Sequence, residues 1–261
     1  WGFDFLKYDW CSYGSIAKDK GLPELKKPYQ VMSAQLRNQS RDIVFNLCQY
    51  GMGDVWTWGE EVGGNCWRTA GDLGFELQQY HDVALKNAAH AGNARPGAWN
   101  DPDYIQIGFV GDARKMGQPT ACPLTPNEQY SYMSLWCLMA APLVYSGDMT
   151  RLDEFTLNVL CNPEVIEIDQ DPLGKQGTPV VRGDEQEIWK KELEDGSCAI
   201  GLFNRGPRVE TIKANWDAIG VSGKQRVHDL WRQQDLGTND AAFEAHVPPH
   251  GVVLVRLTPE R

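Results

Sequence analysis

Histidine is scarce in this sequence, at 5 of 261 residues, and the cysteines form no CxxC pair. Zinc sites are built from such ligands at short spacing, so no metal is expected, and no other cofactor either. The seven cysteines (Cys11, Cys48, Cys66, Cys122, Cys137, Cys161 and Cys198) are an odd number. At least one thiol must therefore be free, which excludes a disulfide scaffold but leaves room for one bridge. Positive charge is also short, with 25 Lys and Arg against 35 Asp and Glu and a net charge of -10. Nucleic acid and anionic membranes need a basic face, so neither is expected as a partner. No apolar run approaches the length of a membrane span. There is no low-complexity segment. No secretory signal precedes Trp1, although a chain that opens inside a strand need not show its true start.

What the chain has in quantity is aromatic, with 10 Trp and 9 Tyr. Flat rings with a polar handle suit sugar faces, though most such residues serve cores. The opening stretch, Trp1-Gly2-Phe3-Asp4-Phe5-Leu6-Lys7-Tyr8-Asp9, is an apolar run ending in a lysine and an aspartate two positions apart. Residues two apart on a strand face the same side. An ammonium beside an acid favours the carboxylate form that a nucleophile or base needs. A strand-end salt bridge or a turn cap would read the same way.

The βα alternation then sets the fold class. Leu22-Pro23 to Lys27-Pro28 reads as a loop, and Tyr29, Met32 and Leu36 fall on one helical face. The short apolar strand Ile43–Cys48 follows. A helix between two such strands is a βαβ unit, with parallel strands and helices outside. The pattern repeats with a strand at Cys66–Thr69, a helix from about Phe75 to His90, and the polar cluster Trp99–Asp103. Thr125-Pro126-Asn127-Glu128 is a capping-box start for a helix to about Ala140. A strand at Pro142–Gly147 and a helix from Thr150 to about Leu160 complete this part. After Asp171-Pro172-Leu173-Gly174 come strand-like runs without helices, at Pro179–Arg182, Glu187–Leu193, Cys198–Asn204, Val209–Ala214, Gln225–Leu230 and Gly251–Leu257. These suggest an antiparallel sandwich, so the boundary is expected at 174, giving units 1–174 and 175–261.

Asp9, Asp72 and Asp103 each follow a separate expected strand. Parallel strands bring their carboxyl ends together, so the three can share one pocket. Paired carboxyl groups suit glycoside hydrolysis. Arg68 precedes Asp72 by four residues and could clamp a substrate oxygen or hold the acid. Against this, Asp72 could simply cap a helix and Asp101-Pro102 could be a turn.

Six stretches carry a sharper resemblance. They are Phe5-Leu6-Lys7-Tyr8-Asp9, Trp67-Arg68-Thr69-Ala70-Gly71-Asp72, Trp99-Asn100-Asp101-Pro102-Asp103, Ala140-Ala141-Pro142-Leu143, Asp169 to Gly177, and Val247-Pro248-Pro249-His250-Gly251. In this order they resemble glycoside hydrolase family 27, the α-galactosidase and α-N-acetylgalactosaminidase family. The resemblance implies an α/β fold, the C-terminal half of a (β/α)8 TIM barrel followed by an antiparallel β-sandwich. It matches Asp9 to the nucleophile and Asp72 to the acid/base. Lys7, Arg68 and Asp103 match sugar-binding positions, and Cys11 and Cys48 match a disulfide beside the sugar.

The implied activity is that of a retaining exo-α-galactosidase acting on galactose-containing oligo- or polysaccharides. Tyr104 stands where the family often has methionine. Gln49 and Met52 are bulky where the N-acetylgalactosamine enzymes have small residues, which favours a free 2-hydroxyl and hence galactose. The alternatives are an α-N-acetylgalactosaminidase or β-L-arabinopyranosidase of the same family, or a non-catalytic galactoside-binding protein. Retention needs carboxyl groups roughly 5–5.5 Å apart. An acid/base must keep its proton, so Arg68 is expected to point at substrate rather than pair tightly with Asp72. In the family, about three βα units precede the nucleophile strand of the eight-stranded barrel. The missing N-terminal part of the same polypeptide is thus an expected partner, and a homo-oligomer is left open. The expected location is secreted or periplasmic.

Overall fold

The computed structural model describes residues 2–19, 21–111 and 119–260, so Trp1 lies outside the described residues. Four short strands run parallel, side by side in sequence order: β1 (Phe5–Asp9), β2 (Val44–Cys48), β3 (Cys66–Arg68) and β4 (Trp99–Asp101). Their register sets Asp9 opposite Cys48 and Arg68 opposite Asp101, so the carboxyl ends are level. Helix α1 (Leu22–Leu36) joins β1 to β2, and α2 (Leu77–Ala88) joins β3 to β4. Parallel neighbours require such crossovers.

Helix α1 begins earlier than the prolines suggest. Pro23 sits in the first turn, where the missing N–H has no helical partner to lose, but Pro28 lies inside the helix. The inward face of Leu25, Tyr29 and Ser33 is buried, and that packing overrides the local break. The expected strand Pro142–Gly147 shrinks to one isolated parallel bridge, between Ile105 and Tyr145. Strands β5 (Phe109–Val110) and β6 (Thr120–Ala121) form a small antiparallel pair.

Helix α3 (Pro126–Leu138) has its capping box, with the Thr125 side chain accepting from the Glu128 amide and Glu128 accepting in return from Thr125. The expected helix from Thr150 is instead a 3-10 turn at Met149–Arg151 followed by α4 (Glu154–Leu160). Asp153 is the true cap, since its carboxylate accepts the Thr156 amide. Helix α5 (Pro163–Asp169), capped by Asn162, was not read from the sequence because seven residues are too few for a periodic pattern.

The rest of the chain forms strands β7 (Thr178–Arg182), β8 (Gln186–Glu192), β9 (Cys198–Asn204) and β10 (Glu210–Asn215), then the short helix α6 (Trp216–Ile219). Strands β11 (Gln225–Asp229), β12 (Gln234–Asn239), β13 (Ala242–Val247) and β14 (Val252–Pro259) follow. Six pair antiparallel in the order β12-β11-β14-β9-β8-β7, and β10-β13 forms the facing layer. The sequence concealed β12 because its residues are almost all exposed and polar or glycine, which leaves no apolar alternation to read.

Strand β9 is buried along its whole length because both faces are covered. Ala199 and Phe203 join one core with α3, while Cys198, Ile200 and Leu202 join the core against β10 and β13. Helix α3, buried on nearly all sides, therefore ties the barrel-type sheet to the sandwich. At the other side of the parallel sheet, β1 has a single neighbour among the described residues. Phe3 (71 % exposed), Phe5 (39 %) and Val44 (44 %) stand open there.

Candidate active site

Because the strands are parallel and level, the chain leaves β1, β3 and β4 on the same side of the sheet. There Asp9, Asp72 and Asp103 line one cleft of about 260 Å³, together with Lys7, Cys11 and Tyr104. Asp9 is the last residue of β1, and Lys7 is two residues earlier on the same strand. The Lys7 Nζ lies 3.6 Å from Asp9 Oδ1. It also donates to the Tyr104 hydroxyl and sits 4.2 Å from the centre of that ring. Burial by itself would lower the pKa of Lys7, but the bond to Tyr104 and the nearby acidic groups outweigh it and raise it. The cleft therefore holds a firmly charged ammonium beside Asp9.

Asp103 has a φ of +117°, a conformation that costs a non-glycine residue about 1–3 kcal/mol. Three hydrogen bonds hold it there. Its amide donates to Asp101 Oδ1 at 2.8 Å, and its Oδ2 accepts the Leu73 amide at 2.9 Å. Its carbonyl accepts the Trp136 indole N–H at 2.7 Å. Asp101 is fixed in turn by the Asn46 amide, 2.6 Å from its Oδ2. Asp101 is thus a strut beneath the cleft, and Asp103 is the residue held against its backbone preference at the wall.

Arg68 departs from expectation. Its guanidinium is buried, 2.8 Å from Asp103 Oδ1 and 3.4 Å from Asp72 Oδ1, with a bond of 3.1 Å to the Ala70 carbonyl. The expected substrate-facing arginine is an internal tie that leans on Asp103 and touches Asp72 loosely. A guanidinium with no water around it must have carboxylate and carbonyl partners. Burial disfavours its charge, but Asp103 and Asp101 outweigh that and raise its pKa. Burial raises the pKa of Asp103, against the opposing pull of Arg68 and the amides of Leu73 and Tyr104.

The expected Cys11–Cys48 disulfide is not formed: both are free thiols. Cys11 opens an exposed 3-10 turn, where its sulfur meets the Tyr50 hydroxyl at 3.1 Å. Cys48 is buried at the end of β2 and faces the Arg68 Nη1 at 3.8 Å. Burial, aided by a hydrogen bond with Asp9, pushes its thiol up to about 12.

Gln49 and Met52 likewise do not line the cleft. Gln49 is fully buried, and Met52 packs against the core around Tyr29 and Trp58. Tyr50 between them takes a φ of +66° and turns into the cleft instead. The glycine at 51 permits that turn, since a Cβ there would lie 2.7 Å from the Thr69 carbonyl oxygen. Sequence reasoning missed Tyr50, Leu73, Phe75, Gln106 and Ser146, which also line the cleft. The spacing of Tyr104 and Gln106 on an extended segment was the one available signal.

Comparison with known proteins agrees with this architecture. Residues 1–171 match the family model described as alpha galactosidase A, and residues 183–257 match that of the alpha galactosidase C-terminal beta sandwich domain. Alpha-galactosidase 2 of Arabidopsis thaliana is 35 % identical over 260 residues, covering 99 % of this chain and 61 % of its own length. The alpha-galactosidase of Coffea arabica is 36 % identical over 262 residues, covering 100 % and 64 %. Among solved structures, a family 27 β-L-arabinopyranosidase from Geobacillus stearothermophilus superposes with a TM-score of 0.87 at 25 % identity, covering 99 % of this chain and 58 % of that one. The chain thus spans about three fifths of the length of these relatives. With a barrel-type βα part and a C-terminal sandwich each matched in place, the chain belongs to the alpha-galactosidase A family, glycoside hydrolase family 27.

Proposed function

We propose that this chain carries the catalytic centre of a retaining exo-α-galactosidase. The observation that supports this most is the sharing of one cleft by Asp9 and Asp72, with the Lys7 ammonium beside Asp9. In the first step a carboxylate oxygen of Asp9 bonds to the anomeric carbon as the glycosidic C–O bond breaks. Asp72 gives its proton to the departing oxygen, so the alcohol leaves neutral. In the second step Asp72, now a carboxylate, takes a proton from water. That water displaces Asp9 and releases galactose with its original anomeric configuration. Lys7 and Asp103 offer a donor and an acceptor to sugar hydroxyls, and Arg68 holds Asp103 in place.

The Asp9→Asn variant should lose turnover while still binding galactose by calorimetry. Near-normal rates would refute its assignment as nucleophile. Asp72→Ala should slow sugar leaving groups by about 10²- to 10⁴-fold and activated aryl galactosides much less. Equal losses on both would deny Asp72 the acid role.

The β-L-arabinopyranosidase among the similar structures motivates a second specificity, since arabinopyranose lacks only the 5-substituent of galactose. Rates on nitrophenyl α-galactoside and nitrophenyl β-L-arabinopyranoside separate the two. We also propose that polypeptide beyond this chain completes the pocket, a reading supported by the open edge of β1 and its exposed phenylalanines. Intact mass of the active species tests it: a folded, active 29.3 kDa monomer would sink the idea.

A further inference from the structure

Lys7 carries its N–H donors on a long flexible stem, and Asp9 is the one carboxylate in salt-bridge contact with it among the described residues. The two are a pair of positions apart on β1 and share a face, so a direct ammonium–carboxylate bond of about 2.7–2.9 Å would be the simplest outcome. The observed gap is 3.6 Å, too long for a hydrogen bond. Lys7 donates instead to the Tyr104 hydroxyl, with its Nζ 4.2 Å from the centre of that ring. Tyr104 is anchored on both sides. The Asp103 carbonyl before it accepts the Trp136 indole at 2.7 Å, and its own carbonyl accepts the Tyr132 hydroxyl. After it, the Ile105 amide donates to the Val144 carbonyl at 2.9 Å, and Ile105 is buried. The phenol is therefore the anchored partner and the lysine the adjustable one. The Asp9 carboxylate keeps a hydrogen bond from the Cys48 thiol, a weak donor.

Resting on the galactosidase reading, we propose that Tyr104 is a positioning residue: it takes the Lys7 N–H that would otherwise go to Asp9, and so keeps the ammonium near the nucleophile without bonding to it. At 3.6 Å the ammonium still lends the site its positive charge. A direct bond would occupy a carboxylate lone pair and would have to weaken as that oxygen attacks the anomeric carbon. Hydrogen bonds between charged groups are the strong ones, so their absence from the resting nucleophile bears on rate. Methionine, which the family often has in place of Tyr104, offers only a weak thioether acceptor and no such tether.

Two variants test this. Tyr104→Phe keeps the ring and removes only the hydroxyl, while Tyr104→Met removes both, and thermal unfolding reports that each is folded. In a crystal structure of Tyr104→Phe, Lys7 Nζ should close to about 2.7–2.9 Å from an Asp9 oxygen. On nitrophenyl α-galactoside, kcat/KM reports the attack by Asp9 and should fall about 10-fold in both variants. Its acid limb should also move to lower pH, because a bonded ammonium holds a carboxylate ionised further into acid. Loss of packing alone would lower the rate without moving the limb that way. Lys7 remaining near 3.6 Å in Tyr104→Phe, an unchanged kcat/KM, or an acid limb that stays or moves upward would overturn the proposal. A parent protein that leaves the galactoside intact would refute the galactosidase reading, and the Lys7 to Asp9 distance in Tyr104→Phe would still decide the tether.

Discussion

The most exacting prediction concerns Asp169, far from the candidate catalytic residues. It is the last residue of α5, 6 % exposed, and its Oδ1 has no hydrogen-bond partner among the described residues. Burial raises its pKa from the ordinary 3.8 to about 7, against the lowering effects of the Gln170 amide and Lys191. A carboxylate at a helix C-terminus is also unfavourable. In the folded protein the proton is kept to about pH 7, whereas the unfolded chain loses it near 3.8. The contribution of this group to stability is therefore whole below about pH 4 and is lost as pH rises through 7. The gap corresponds to about 4 kcal/mol at full ionisation. Asp169→Asn removes the ionisation and keeps the shape. Guanidinium unfolding at pH 4, 5.5, 7 and 8.5 should show the variant more stable by about 4 kcal/mol at pH 8.5. The two proteins should converge at pH 4. Parallel curves across the whole range would refute the reasoning, as would a variant weaker at high pH.

Two further outcomes are expected. Gly51→Ala would place a Cβ 2.7 Å from the Thr69 carbonyl at a φ of +85°, costing about 1–3 kcal/mol; chemical denaturation measures it, and an unchanged midpoint would contradict the strained turn that aims Tyr50. Iodoacetamide at pH 8 should label the exposed Cys11 and Cys161 in the native protein and spare Cys48 until denaturation. A native mass two hydrogens lighter, with Cys11 protected, would instead restore the bridge to Cys48.

The sequence by itself determined the βα order, the capping box at Thr125, the change to strands after Gly174 and the three aspartates at strand ends. Each rests on a short-range pattern: apolar runs between turn residues, a cap three residues before its partner, an acid just past a strand. Family motifs added to this because they are short and lie at the places where strands end. Tertiary structure decided which way side chains near those ends turn. Arg68 became a buried tie to Asp103 because its side chain has no route to water from β3, something no spacing reveals. Tyr50 rather than Gln49 or Met52 reached the cleft because one left-handed residue reverses which side chains face it. Strand β12 and helix α5 were hidden for a related reason: the first is nearly all exposed and the second is short, so neither has a periodic face to read. Local pattern fixes where an element sits in the chain, while packing fixes what each of its side chains meets.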